Sequence, residues 1–350
     1  MQSGRPEDGS MSGARQDDLE TRLRRQIEAY HESALVYAAV KLGLPDRMGE
    51  RAWTAEQLAA ELALSAPHLL RFMRGLVTLG ICQELPDGTF ALAEGGWSLR
   101  SDSPSRLDKK VQIVVEQYWR PWANLASCLQ TGTPAFDRVF GLSVRDWRQR
   151  NAAQGALFES YLAKETLAHS ASFIDAVNFA GVRTVADIGG GFGGLLAALL
   201  QAHPHLQGVL FDRPETVAGA EPHLESLGIA DRTALVGGDI LTAIPVRADL
   251  YVLNGVLQQW YDTDALAILK NVRAAMPEGA RLIIIERVLP ERATDDPAAV
   301  MLDLHMMAIT GGRVRTLAEF EALLSDAGLK LSEVTPTSSG FSVLASVRRA

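Results

Sequence analysis

The stretch Val185-Ala-Asp-Ile-Gly-Gly-Gly-Phe-Gly-Gly194 decides how the carboxyl-terminal half of this chain is interpreted. Residues 184–188 are β-rich and predict a short strand, and the leucines after the glycines recur at helical spacing. Glycine permits a sharp turn and lets a ligand approach the backbone where a Cβ would collide with it. Because the following helix directs its free N–H groups toward that ligand, the pattern predicts a nucleotide-type binding site.

The spacing of acids and glycines narrows this prediction. Gly189, Gly191 and Gly193 alternate, and Asp187 comes just before them. The next predicted strand ends in Asp212, 19 residues after Gly193, a distance at which a carboxylate can accept from both ribose hydroxyls. The alternative is a tight turn followed by a solvated aspartate, and the joint presence of both features in register disfavours it.

Strand and helix patterns alternate from Arg183 to the carboxyl terminus. This alternation predicts a mostly parallel, doubly wound α/β sheet with helices on both faces, and ligands in such sheets lie at the carboxyl ends of the strands. The predicted strands are 184–188, 208–212, 234–237, 248–253, 281–287, 330–334 and 341–347.

The amino-terminal part has a different character. Residues 1–17 are rich in Gly, Ser, Asp and Arg without periodicity, which predicts a disordered tail. Residues 18–105 contain a capping-box helix start at Thr54–Gln57 and a hairpin turn at Asp87-Gly88, an arrangement typical of a winged helix. DNA binding is disfavoured, because acidic residues outnumber basic ones over residues 54–94.

Two further boundaries complete the predicted organisation. Residues 106–180 read as a helical connector, for which the family resemblance described below implies a place along the substrate pocket, and residues 181–350 as the nucleotide-binding domain. The chain has 350 residues, a net charge of −8 and two cysteines, so we expect neither nucleic acid nor a structural metal as a partner. No apolar run is long enough to cross a bilayer, and the amino terminus lacks an apolar signal core. We therefore expect a soluble cytoplasmic protein.

Further motifs follow the glycine turn in a fixed order. They read Phe211-Asp-Arg-Pro214, Gly237-Gly-Asp-Ile240, Trp260-Tyr-Asp262, Ile285-Glu-Arg-Val-Leu-Pro290 and Gly311-Gly-Arg-Val-Arg-Thr316. Val185–Gly193 resembles motif I of class I S-adenosylmethionine-dependent methyltransferases. The whole set resembles the two-domain small-molecule O-methyltransferases of the plant caffeate and bacterial antibiotic-tailoring types. This resemblance implies a seven-stranded sheet preceded by a winged-helix-like module that makes a homodimer and helps to wall the substrate pocket.

The resemblance also implies S-adenosylmethionine as the cofactor. Asp187 and the loop backbone would hold its amino-acid end, Asp212 its ribose, and Asp239 with Ile240 its adenine. Asn254 stands where relatives often carry a lysine, and it can form hydrogen bonds but brings no charge. The implied cofactor-binding residues are Phe158, Asp187, Gly189, Gly191, Gly193, Asp212, Arg213, Asp239, Ile240 and Asn254.

The catalytic position departs from the family pattern. The His-Asp-Trp triplet that carries the family's general base reads Gln258-Gln259-Trp260 here, and a glutamine amide has no useful basicity. Of the two acids that usually orient the histidine, Glu286 matches the first, while Val314 replaces the second. Since a general base typically contributes about 10²–10⁴-fold, its loss favours a nucleophile that needs little activation, or a base located elsewhere.

His305 is the candidate for a relocated base. It lies in Met301–Met307, a stretch that lines the substrate pocket in the resembling family. The alternative is a structural helix histidine whose ring nitrogens are satisfied by neighbours. Gln258, Glu286 and His305 are therefore the candidate catalytic residues.

Tyr118, Trp122, Tyr161 and Met306 are the candidate substrate contacts. Aromatic residues at helical spacing can equally be core, but methionine and large aromatics together suit a roomy apolar pocket. By resemblance we expect a flat aromatic or polyketide-type acceptor. O-methylation is the first expectation, N- or C-methylation stays open, and so does a non-methylating hydroxylase, decarboxylase or pericyclase that uses the same cofactor. A non-enzymatic regulator is disfavoured by the charge balance.

Overall fold

The computed structural model describes residues 10–349, with side chains from Leu19 onward. The chain divides into two compact units between Glu116 and Gln117. This division falls inside the predicted connector, 106–180, whose residues from 117 onward belong to the unit that contains the large sheet. Within the described residues, no helix combines the length and apolar character needed to cross a membrane. The cytoplasmic location stays a prediction.

The first unit is mostly helical. The predicted capping box is present, because the Gln57 N–H donates to Thr54 Oγ1 at 3.2 Å and the Thr54 N–H donates to Gln57 Oε1 at 3.1 Å. The predicted hairpin also forms, with Cys82 paired to Leu92. The elements are α1 Ser10–Glu28, α2 Tyr30–Lys41, α3 Leu44–Met48, α4 Ala55–Leu62, α5 Ala66–Thr78, β1 Cys82–Glu84, β2 Phe90–Leu92, α6 Glu94–Ser98 and α7 Leu107–Ile113.

Of the predicted disordered tail, residues 1–17, the first nine residues lie outside the described part of the chain. The remainder of the tail, residues 10–17, is the beginning of α1, and the disordered tail stays a prediction. Each residue added to an existing helix gains a hydrogen bond for the dihedral angles it fixes, so helix α1 can extend beyond its apolar positions. Those apolar positions are exposed: Leu23 is 55% and Ile27 is 72% accessible.

The second unit joins a helical stretch to an α/β domain. Its helices are α8 Trp119–Ala123, α9 Leu125–Thr131, α10 Ala135–Phe140, α11 Val144–Arg150, α12 Ala152–Ile174, α13 Gly194–Ala202, α14 Pro214–Ser226, α15 Asp262–Ala275, α16 Pro297–Ile309 and α17 Leu317–Asp326. Its strands are β3 Thr184–Ile188, β4 Gln207–Asp212, β5 Thr233–Gly237, β6 Leu250–Asn254, β7 Arg281–Glu286, β8 Leu329–Pro336 and β9 Ser342–Arg348. Short turns of other helical types lie at Val114–Tyr118, Ala230–Arg232 and Leu257–Gln259.

The seven strands form one sheet in the order β5-β4-β3-β6-β7-β9-β8. Strands β3 to β7 pair in parallel, and β9 runs antiparallel to both β7 and β8. Alternate residues of a strand point to opposite faces, and both faces are covered here. Ala186 packs in a cluster with Ile268 and Phe320 on one face, while Val185 packs with Leu196 on the other. The predicted doubly wound seven-stranded fold is confirmed.

The strand order reverses at β3. Its neighbours β4 and β6 lie on opposite sides, so the connections after β3 and β6 leave the sheet in different directions. A crevice therefore opens at the carboxyl ends of these strands, the usual ligand position in an open α/β sheet. Asp187, Asp212 and Asn254 all lie at those ends.

Candidate active site

The glycine turn after β3 is shaped by close contacts as well as by its dihedral angles. Gly191 has φ +58°, and a Cβ there would lie 2.6 Å from Glu159 Oε2. Gly193 caps the amino end of α13 with φ +77°. The turn thus delivers the chain from β3 into α13 with its backbone open toward the crevice.

A cavity occupies this crevice and gathers the predicted cofactor residues. Nine of the ten line it: Phe158, Asp187, Gly189, Gly191, Asp212, Arg213, Asp239, Ile240 and Asn254. Gly193 does not line the cavity and instead begins the helix behind it. Residues separated by nearly a hundred positions in sequence are therefore brought to one concave surface.

One end of the cavity is acidic. Asp187 is 1% exposed, and neither of its carboxylate oxygens makes a hydrogen bond of ordinary geometry within the described residues. Burial, reinforced by the charge of Asp212, raises the pKa of Asp187 to about 7. Such unsatisfied buried oxygens are costly unless a ligand supplies donors, so Asp187 fits the ammonium end of the implied cofactor.

Asp212 and Glu159 extend the acidic surface. Asp212 accepts from the Gly191 N–H at 2.9 Å and from the Arg213 N–H at 2.7 Å, while burial still raises its pKa. Burial and the nearby Asp212 raise the pKa of Glu159 to about 7. No described lysine, arginine or histidine lies within salt-bridge distance of either carboxylate. The sequence analysis did not select Glu159, although it follows Phe158 directly.

At the end of the cavity where the resemblance places the adenine, the carboxylate of Asp239 makes ordinary hydrogen bonds. Both carboxylate oxygens of Asp239 accept from its own turn, from the Leu241 N–H at 2.9 Å and the Thr242 hydroxyl at 3.1 Å. Each oxygen keeps a second lone pair for a ligand amino group. The Arg145 guanidinium stacks on the Trp260 ring at 3.5 Å and donates to the Gln259 carbonyl, and burial lowers its pKa to about 10. Arg145 also lines the cavity and was missed in the sequence.

The backbone of Gln258 is hydrogen-bonded to the buried carboxylate of Glu286. The Gln258 N–H donates to Glu286 Oε1 at 3.0 Å. Burial raises the pKa of Glu286 to about 7, and Gln258 Oε1 and Glu286 Oε2 lack partners among the described residues. The cavity is lined by the neighbours Gln259 and Trp260 but not by Gln258. Glu286 thus holds the backbone of the segment after β6.

The segment after β6 is clamped from the other side by Arg315. This side chain is only 1% exposed and donates to the carbonyls of Leu257 and Trp260 and to Asp262 Oδ1. Val314, at the position where the resemblance implies the second orienting acid, is buried, and its N–H donates to Asp303 Oδ1 at 2.9 Å. Residues 258–260 are therefore firmly positioned although no histidine is present.

The predicted substrate residues divide into two groups. Tyr118 and Trp122 contact His305: the Trp122 Nε1–H donates to His305 Nδ1 at 3.1 Å, and the Tyr118 ring stands edge-on at 4.6 Å. Tyr161 and Met306 are not part of this contact, and Met306 is buried; none of the four predicted substrate residues lines the cofactor cavity. Burial, with a smaller contribution from Arg148, lowers the pKa of His305 to about 4. This geometry does not suit the replacement base expected from the sequence, because the Nδ1 lone pair is already used.

Comparisons with known proteins agree with the fold and the cavity. Residues 122–330 match the O-methyltransferase domain family, and residues 25–101 match the O-methyltransferase dimerisation domain family. The fold and the cavity together define a class I methyltransferase. The chain belongs to the O-methyltransferase family and is an S-adenosylmethionine-dependent enzyme.

Several relatives cover almost the whole chain. Phenazine O-methyltransferase PhzM of Lysobacter antibioticus is 34% identical over 327 residues, 93% of this chain and 95% of the relative. O-demethylpuromycin-O-methyltransferase of Streptomyces alboniger is 35% identical over 325 residues, 92% of this chain and 86% of the relative. Phenazine-1-carboxylate N-methyltransferase of Pseudomonas aeruginosa is 32% identical over 303 residues, 87% of this chain and 90% of the relative.

Solved structures give the same result. The crystal structure of LaPhzM has a TM-score of 0.90 at 34% identity and covers 95% of this chain and 99% of that one. An O-methyltransferase from neocarzinostatin biosynthesis, in complex with S-adenosylmethionine and 2-hydroxy-5-methyl naphthoic acid, has a TM-score of 0.78 at 29% identity, covering 91% of this chain and 96% of that one. These relatives methylate oxygen or nitrogen, and the comparisons give no support to the non-methylating alternative.

Proposed function

We propose that this enzyme methylates an oxygen or nitrogen of a small aromatic natural-product intermediate without a protein base at position 258. The observation that carries the proposal is the glutamine at position 258, whose backbone N–H donates to Glu286 and whose side-chain amide has no useful basicity. The named substrates of the relatives, phenazines and a naphthoic acid among them, support an aromatic acceptor. Carbon as the acceptor atom has no counterpart among these names.

The cofactor would be held by residues that already line the cavity. Asp187 would accept from its ammonium group, Asp212 from its ribose hydroxyls, and Asp239 from its adenine amino group. When bound, the cofactor supplies an electrophilic methyl group on a positively charged sulfur. The acidic surface formed by Asp187, Asp212 and Glu159 stabilises that positive charge and is in turn stabilised by it.

The protein's own contribution is then orientation. An amine nitrogen already has a free lone pair, and an acidic phenol reaches the site ionised, so the proton is lost to water before binding. Holding two reactants in the correct geometry can lower the activation barrier for methyl transfer by several kcal/mol without any proton transfer. Gln258 and Glu286 act here by fixing the backbone that carries Gln259 and Trp260.

The Gln258→Ala variant tests this mechanism. We expect kcat to fall by less than about tenfold, since removing a true general base costs about 10²–10⁴-fold. The measurement is single-turnover transfer of labelled methyl from S-adenosylmethionine, first to a panel of hydroxy- and amino-phenazines and hydroxynaphthoates to find an acceptor.

Gln259→Ala is the matched control, because this neighbour lines the cavity and donates from Nε2 to the Gly255 carbonyl at 2.8 Å. A fall of more than about 100-fold in Gln258→Ala, with unchanged affinity for S-adenosylhomocysteine, would contradict base-free transfer. Consumption of an acceptor without formation of S-adenosylhomocysteine would contradict methyl transfer itself.

We also propose that the enzyme is a homodimer that associates through its first unit. The match to the dimerisation domain family supports this, and so do the exposed apolar side chains Leu19, Leu23 and Ile27, which recur every four residues along α1. Residues at this spacing share one face of a helix, and apolar faces of this kind mark interfaces.

Changing Ile27 to Glu is expected to shift the protein from dimer to monomer at micromolar concentration, because a charge would have to be buried in an apolar interface. Sedimentation velocity measures the change. Arg24→Glu is the control, since Arg24 is exposed and pairs with Glu20 on the same helix. A wild-type monomer, or a dimer unaffected by Ile27→Glu, would overturn the assignment.

A further inference from the structure

The contact between Trp122 and His305 fixes the protonation of the histidine ring. An indole N–H can only donate, so the His305 nitrogen that it reaches, 3.1 Å away, must be unprotonated. In a neutral imidazole the other nitrogen then carries the hydrogen. The ring orientation in the structure is the one that gives Trp122 an acceptor, because a ring turned by 180° would place a carbon opposite the indole N–H.

The second nitrogen, Nε2, is available to a ligand. It has no hydrogen-bond partner among the described residues, and it is not fully buried. His305 is partly exposed, on the inner face of α16 beside Tyr118. His305 therefore presents a single N–H donor.

Arg148 links this donor to the cofactor cavity. It lines the cavity, its guanidinium lies 3.3 Å from the centre of the Phe158 ring, and it donates to the Tyr118 hydroxyl at 2.8 Å and to Gln117 Oε1 at 3.0 Å. Within the described residues no carboxylate lies within 4.0 Å of Arg148, and Glu159 affects it only at longer range. The positive charge is thus held by neutral acceptors.

Arg148, Tyr118 and His305 consequently each offer a hydrogen-bond donor. Arg148 is a cation, His305 presents Nε2–H, and the Tyr118 hydroxyl accepts from Arg148 and so keeps its own hydrogen to donate. The nearest acid on α16, Asp303, accepts from the Val314 N–H. We propose that Arg148, Tyr118 and His305 form a binding site for an anionic oxygen of the acceptor substrate, with His305 as donor. This inference rests on the proposed function of the cavity.

An anionic oxygen could come from a carboxylate substituent or from the ionised hydroxyl that is to be methylated. Both kinds of anionic oxygen would accept hydrogen bonds from the same three donors. A neutral substrate group, such as an amide, would gain less from these donors because hydrogen bonds to charged acceptors are the stronger ones. His305 is then a specificity-determining residue.

Binding to the enzyme loaded with S-adenosylhomocysteine separates these cases. The probes are 2-naphthoate as the carboxylate, 2-naphthamide as its neutral match, and 2,4-dinitro-1-naphtholate as the ionised hydroxyl, with affinities measured by calorimetry. We expect at least one anion to bind about 10- to 100-fold more tightly than the amide, as hydrogen bonds to charged groups predict. The anion that binds more tightly than the amide shows whether the oxygen belongs to a carboxylate or to an ionised hydroxyl.

The variants assign the effect to His305. His305→Ala is expected to lose about tenfold of the anion preference, and His305→Gln, which keeps a donor, to retain most of it. Affinity for S-adenosylhomocysteine should not change, which shows that the variants are folded and that the cofactor site is intact. Equal binding of anions and amide, or an anion preference that survives in His305→Ala, overturns the proposal.

Nitrogen-15 NMR measures the protonation state and the tautomer of the His305 ring, without substrate or turnover. We expect His305 to be neutral and protonated on Nε2 at neutral pH, and Trp122→Phe to release the ring into a mixture of both tautomers. A ring protonated on Nδ1, or one that is charged at neutral pH, overturns the donor assignment. Because neither measurement involves methyl transfer, failure here is distinguishable from failure of the proposed function.

Discussion

Asp187→Asn is expected to weaken binding of S-adenosylhomocysteine by about 100-fold or more and, at the same time, to stabilise the ligand-free protein. Both carboxylate oxygens of Asp187 are buried without ordinary hydrogen bonds. A bound ammonium group would donate to them, and two hydrogen bonds to a charged group, each worth about 1.5–3 kcal/mol, account for the loss of affinity. Without ligand, the same carboxylate is a buried acid beside Asp212, and the Leu196 N–H offsets only part of the cost of its burial.

The gain in stability should depend on pH. Burial raises the pKa of Asp187 to about 7 in the folded protein, above the ordinary value for aspartate. The wild-type protein therefore has its full stability at a pH below the pKa of Asp187 in the unfolded chain, where the carboxyl group is protonated in both states. Part of that stability is lost as the pH rises through the pKa of Asp187 in the folded protein. Asparagine does not titrate, so the difference in Tm between variant and wild type should grow up to about pH 7 and then level off, as thermal unfolding can measure.

Asp249→Asn is the matched control, on an aspartate near the opposite end of the same strands. Its Oδ2 accepts from the N–H groups of Arg183 and Thr184, and these hydrogen bonds lower its pKa. Removing this charge should therefore lower stability and leave cofactor affinity unchanged. If Asp187→Asn behaved in the same way, Asp187 would be a structural acid and the assigned role would be wrong.

The sequence was most informative where local chemistry repeats along the chain. The glycine turn, the strand ends at Asp187 and Asp212, and the capping box at Thr54 each depend on residues that are close in sequence, so spacing alone indicates them. The sheet followed because alternating strands and helices allow few other arrangements.

The sequence was least informative where distant helices meet. Glu159 lies against Gly191, Arg145 stacks on Trp260, and neither pairing has a local signal. The histidine at position 305 looked like a replacement base because only its identity was visible, and the donor Trp122 that occupies its lone pair is 183 positions away. Titration behaviour depends on such contacts, so it could not be inferred from residue type.

Gly312→Ala is expected to displace the segment that carries Gln259 and Trp260, and so to lower both stability and activity. A Cβ at this position would lie 2.1 Å from the Gln258 carbonyl oxygen, 2.5 Å from the Gln259 carbonyl carbon and 2.6 Å from the Trp260 nitrogen. All three are backbone atoms, and Arg315 and Glu286 hold that backbone from two sides, so no side-chain rotation relieves the contact. Overpacking of this kind costs about 1–3 kcal/mol or more.

The loss of activity should exceed the loss of stability, since a displacement of about 1 Å at residues that line the active site can cost about 100-fold in rate. Thermal unfolding and kcat/KM with the acceptor found above measure the two effects. Gly75→Ala is the control: this glycine lies inside α5, its added Cβ would meet only Leu35 methyls at 3.4 Å, and alanine is the better helix former by about 1 kcal/mol. Wild-type activity in Gly312→Ala would show that the segment after β6 can move freely, and the positioning role assigned to Gln258, Glu286 and Arg315 would then fail.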